Sequence, residues 1–65
     1  MNQATMKGKW NQMKGDAKKK WGNLTDDDLQ QVEGNHDKLV GKIQERYGKS
    51  KEEAEREVND WHKTY

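Results

Sequence analysis

Two imidazoles, a run of three aspartates, a lysine triplet beside a tryptophan and the hydroxyls of Thr25 and Ser50 are the side chains here best suited to chemistry. The imidazoles suggest metal first. Glu33-Gly34-Asn35-His36 has the Glu-x-x-His spacing of di-iron helical bundles, which use that motif twice with two further carboxylates. Here it occurs once, across a predicted helix break. A metal site wants at least three converging ligands, and no His-x-x-x-His pair is present. His36 is therefore expected to be partly packed, and His62, beyond the repeated part of the chain, to be solvated. Asp26, Asp27 and Asp28 are consecutive, so on a helix they point about 100° apart and cannot share one cation. Their place is a helix start, where the dipole favours negative charge. Thr25 and Ser50 sit where helix caps are needed, and there is no cysteine. No nucleophile elbow or phosphate loop is present. The expectation is a non-enzymatic chain with no cofactor, no metal and no small-molecule substrate.

Lys18, Lys19 and Lys20 precede Trp21, and Lys14 lies one helical turn earlier. Single-strand binders combine a basic groove with exposed stacking aromatics, and a basic amphipathic helix can also lie on an anionic membrane. Residues 1–22 carry six lysines against Asp16 alone, whereas residues 23–65 carry seven basic and eleven acidic side chains. That asymmetry fits a polyanion partner. It fits equally a basic first helix complementing an acidic remainder, and this internal reading is preferred because Trp10 and Trp21 fall on the stripe expected to face the core.

The elements that must position these groups are all helical. There is no proline and no sustained period-two alternation. Met6, Trp10, Met13, Ala17 and Trp21 share one stripe, which predicts a first helix over residues 4–21 closed by Gly22 as a left-handed C-cap. Thr25 with Asp28 reads as a capping box opening a short second helix, with Leu29 and Val32 inward. Gly34-Asn35 marks a break, with Asn35 placed to cap the third helix. Leu39, Val40, Ile43 and Tyr47 form the third stripe, closed by Gly48. Ser50 with Glu53 reads as a second capping box, and Ala54, Val58 and Trp61 line the last helix.

A shift of 26 residues lays much of this pattern on itself: Met13-Lys14-Gly15 falls on Leu39-Val40-Gly41, and Trp21-Gly22 on Tyr47-Gly48. A fixed-period repeat predicts a repeated supersecondary unit. The predicted fold is therefore all-α, one domain over residues 1–65, a small bundle of about four helices from two repeated hairpins (about 6–31 and 32–57). The core list is Trp10, Met13, Ala17, Trp21, Leu29, Val32, Leu39, Ile43, Tyr47, Val58 and Trp61. Gly8, Gly15 and Gly41 fall off that core face, and each costs about 1 kcal/mol relative to alanine inside a helix. Close approach of another backbone is one reading of them, and a chain held near its folding threshold is another.

Composition limits stability more than it limits function. Only 28% of the 65 residues are hydrophobic and 38% are charged, with a mean hydropathy of −1.64. Such a chain approaches disorder, but its net charge is only +1 and its apolar residues are periodic. A folded, monomeric domain of about 3–5 kcal/mol is expected. The polar N-terminus and the lack of a long apolar run predict neither signal peptide nor membrane span, hence a cytoplasmic protein.

Gly8-Lys9-Trp10, Lys20-Trp21-Gly22-Asn23-Leu24-Thr25-Asp26-Asp27-Asp28-Leu29, Leu39-Val40-Gly41-Lys42-Ile43-Gln44-Glu45-Arg46-Tyr47-Gly48 and Glu53-Ala54-Glu55-Arg56-Glu57-Val58 resemble the CsbD-like family of small bacterial stress proteins. The likeness runs from about residue 6 to 61. It implies a small helical bundle, abundance under general or osmotic stress, and no catalytic motif to transfer. In composition the chain also resembles hydrophilins. The function expected is a protective or interaction role in stress, the alternative being a nucleic-acid or anionic-membrane binding module that uses Lys14, Lys18, Lys19 and Lys20.

Overall fold

The computed structural model describes residues 8–63. Four helices occupy them: α1 (Trp10–Lys20), α2 (Asp26–Val32), α3 (His36–Tyr47) and α4 (Lys51–His62). Of the first helix expected over residues 4–21, residues 4–7, with Met6, lie outside the described residues. Within them α1 starts at Trp10, because Lys9 leaves helical geometry (φ −107°, ψ 8°) and has no side chain able to cap. Gly8 is itself helical but lies before this break, outside α1.

The caps explain where each later helix begins. Thr25 Oγ1 accepts from the Asp28 N–H at 3.1 Å while Asp28 Oδ2 accepts from the Thr25 N–H at 3.1 Å, a complete capping box. Leu24 and Leu29 flank that box at the positions of a hydrophobic staple, and both are buried. Asn35 Oδ1 accepts from the Lys38 N–H and opens α3. Ser50 Oγ accepts from the Glu53 N–H, which is one half of the box expected there.

Helix ends follow the sequence less closely. Gly48 closes α3 in the left-handed conformation, φ 67°, its N–H bonded to the Gln44 carbonyl. Gly22 does not do this for α1, contrary to expectation. Trp21 is the C-cap, with φ −116° and ψ 79°, and the described glycines with positive φ are Gly34 and Gly48. Turning the chain at Trp21 sends its indole into the core, so the side chain dictates the exit and Gly22 is spared a special conformation. The left-handed pair lies instead at Glu33 (φ 50°) and Gly34 (φ 78°), between α2 and α3.

All four helices contribute to one core. Trp10, Met13 and Ala17 come from α1, Leu29 and Val32 from α2, Leu39, Val40 and Ile43 from α3, and Ala54, Val58 and Trp61 from α4. Trp21 and Leu24, from the α1–α2 connection, complete it, and Tyr47 packs against it half-buried. Consecutive helices pair, most extensively α3 with α4. The radius of gyration is 10.4 Å, against about 10–11 Å for a folded chain of this size and far more for an unfolded one. Sparse apolar residues suffice because, among the described residues, they face inward.

Candidate functional site

The lysine–tryptophan segment ends α1, and its aromatic points inward. Trp21 is 2% exposed. Its Nε1–H donates to Glu57 Oε1 at 3.0 Å, and its ring meets Trp61 edge-to-face, with centroids 5.1 Å apart and planes at 72°. Lys49 Nζ pairs with the other Glu57 oxygen. That ion pair, then the indole donor, holds the Glu57 carboxyl below the usual carboxylate range against the opposing effect of burial. Trp10 is also buried, and its Nε1–H donates to the Leu29 carbonyl at 3.0 Å. Neither indole is presented for base stacking.

The lysines divide their roles. Lys18 Nζ lies 2.8 Å from Asp26 Oδ1 at the start of α2. Its hydrogen bond and charge hold Asp26 low, with a smaller contribution from Lys14. Lys20 Nζ sits 5.6 Å from the Trp21 ring centroid, a cation–π geometry. Lys14 is half-buried, while Lys18, Lys19 and Lys20 are exposed. Lys18, with a weaker contribution from Lys14, thus answers the acidic start of α2.

The aspartate run divides as well. Asp26 and Asp27 are exposed, but Asp28 is 2% exposed. Arg46, in the last turn of α3, grips it through Nε–H to Oδ2 and Nη2–H to Oδ1, both at 3.0 Å. Lys42 Nζ stands 3.5 Å from Oδ1. The Arg46 hydrogen bonds first, then the Thr25 N–H, hold the Asp28 carboxyl far below the usual carboxylate range. Asp28 is therefore a cap and a buried tie between α2 and α3. The capping box announced the first role. The second had no signal in the sequence, since Arg46 is 18 residues away.

The histidines meet at the other end of the bundle. His36 is half-buried, and its Nε2 lies 3.0 Å from Asn59 Oδ1, joining the start of α3 to the last turns of α4. His62 overturns the expectation of a solvated side chain: it is 5% exposed. Ala54, Val58, Trp61 and His62 follow i, i+4, i+7, i+8, one helix face, so the register of α4 carried the signal. Among the described residues, no three His, Cys, Asp or Glu side chains gather as metal ligands.

One open groove of about 570 Å³ runs between α2 and α3, lined by Gln31, Glu33, Lys38, Gly41, Lys42 and Glu45. Another, of about 480 Å³, is lined by Gly8, Trp10, Asn11, Lys14, Gln30 and Glu33. A Cβ added to Gly8, Gly15 or Gly41 would meet nothing within 4 Å. Among the described residues, then, no backbone of the same chain approaches these glycines closely.

Comparison with known proteins is consistent along nearly the whole chain. The CsbD-like family model matches residues 4–56. A UPF0337 protein of Pectobacterium atrosepticum is 59% identical over 61 residues, covering 94% of this chain and 88% of its own. The UPF0337 protein YjbJ of Escherichia coli K12 is 57% identical over 61 residues, with the same coverage. A UPF0337 protein of Pseudomonas aeruginosa is 59% identical over 61 residues, covering 94% of both chains. These matches establish that the chain belongs to the CsbD-like family.

Proposed function

We propose that this protein is a non-enzymatic stress-response protein, a hydrophilic bundle of marginal stability whose folded population responds to water activity. The observation that carries the reading is the pair of exposed glycines inside helices, Gly15 in α1 and Gly41 in α3, with open space where a side chain would sit. Each weakens its helix by about 1 kcal/mol relative to alanine. Neither is required by a turn or by packing. In a chain of 65 residues such losses are a large share of about 3–5 kcal/mol of stability. Osmolytes excluded from protein surface favour the compact state, so a bundle near its threshold gains folded population as water activity falls.

The hydroxyls point the same way. Thr25 and Ser50 both act as cap acceptors, which leaves them structural work rather than nucleophilic work. The test is helicity by circular dichroism across an osmolyte series, beside the survival of a deletion strain under osmotic and desiccation stress. Helicity should rise with osmolyte, and the strain should be sensitised. Helicity already maximal in buffer, together with an unaffected strain, would remove the proposal.

A further inference from the structure

His62 enters none of the caps, ties or ion pairs that hold the bundle. It lies in the last turn of α4, 5% exposed, and its Nδ1 is buried with no hydrogen-bond partner. A buried imidazole in that state favours neutrality, because a proton on Nδ1 would create a charged donor with nothing to receive it. Among the described residues, the charged groups acting on the ring are His36 at the start of α3 and Lys9 just before α1. Both are cations when protonated, so both oppose a proton on His62. Burial first, with these groups adding to it, holds the ring below the ordinary imidazole range. The neighbourhood is also a junction. His36 joins Asn59 across α3 and α4, and Trp61, next to His62 in sequence, closes on Trp21.

We propose that His62 is an acid-sensitive latch: neutral, it lets the last turn of α4 dock on the bundle; protonated, it expels that turn and uncovers Trp61 and Trp21. Acidification would then open one end of the molecule while the Asp28–Arg46 tie between the first turn of α2 and the last turn of α3 holds. The device goes beyond the water-activity reading and is tested separately from it, because its readout is the fold itself.

The experiment is an NMR titration of the full chain from pH 7.5 to 5, following the His62 ring protons and amide protection across α4, with tryptophan emission in parallel. Protection factors at residues 58–62 should fall about tenfold per pH unit below the ordinary imidazole range, the slope for uptake of one proton. Emission should shift to the red in step. His36→Gln should keep the transition, and His62→Leu should abolish it. The latch is overturned if His62 titrates like a free imidazole with α4 protection unchanged, or if His62→Leu opens over the same range as the parent. Should His62→Leu fail to fold, the parent titration decides alone: loss of protection in step with His62 protonation supports the latch, and its absence overturns it.

Discussion

Asp28 holds two structures together with one carboxylate. It closes the Thr25 capping box and receives the Arg46 guanidinium, at 2% exposure. A buried carboxylate is tolerated only when donors replace the water it has lost, and here the Thr25 N–H and two guanidinium donors do so. Asn at this position keeps the shape but loses the charge and cannot satisfy all three donors. Asp28→Asn should therefore cost about 1–3 kcal/mol, measured by urea denaturation, and should lower helicity in α2 and α3 together. An unchanged midpoint would mean that Arg46 contributes only a surface contact.

Among the helices, the glycines separate into kinds that their spacing of seven conceals. Gly48 occupies a left-handed C-cap at φ 67°, where an L side chain costs about 1–2 kcal/mol. Gly15 and Gly41 lie within α1 and α3, facing open space. Gly15→Ala and Gly41→Ala should each raise the melting temperature by about 4–8 °C, the shift expected from 1 kcal/mol in a domain this small. Gly48→Ala should lower it by a similar amount. Thermal scans by circular dichroism check both signs, and a melting point lowered by Gly15→Ala or Gly41→Ala would point to a surface role for these faces. The repeat in the sequence equates Gly22 with Gly48, yet only Gly48 is left-handed. Trp21 and Tyr47 explain the difference: Trp21 turns into the core, while Tyr47 stays half-buried and its hydroxyl accepts from the Asn23 N–H.

Taken together, the bundle should lose stability in two stages on acidification. His62 ordinarily titrates near 6.5 and is lowered in the folded state. Asp28 ordinarily titrates near 3.8 and is also lowered. In each case the unfolded chain binds its proton first as pH falls. The associated stability is present above the ordinary value and is lost as pH drops below it towards the folded value. Urea midpoints should therefore be highest near neutrality, decline below about pH 6.5 through His62, and fall again below about pH 4 through Asp28. Midpoints flat between pH 7.5 and 5 would show that His62 does not resist protonation. Salt should weaken the exposed Lys18–Asp26 pair and leave the Asp28–Arg46 tie largely intact, since buried charges are screened less.

Helix number, the inward stripes and four of the caps were legible along the chain, because each depends on residues within about one or two turns of one another. Thr25 with Asp28, Asn35 before α3, Gly48 after it and Ser50 before α4 are local statements, and the backbone obeys them. Leu24 and His62 were also within reach, through the staple spacing and the face of α4. What no local pattern carried was partnership across the bundle. Arg46 meets Asp28 at a separation of 18 residues, and Trp21 meets Glu57 at 36. Such pairs are chosen when helices dock, by which polar atoms lose water and must find donors or acceptors. Docking also moved the end of α1 from Gly22 to Trp21, since burying an indole outweighs a glycine's conformational freedom. The same docking left the His62 Nδ1 without a partner.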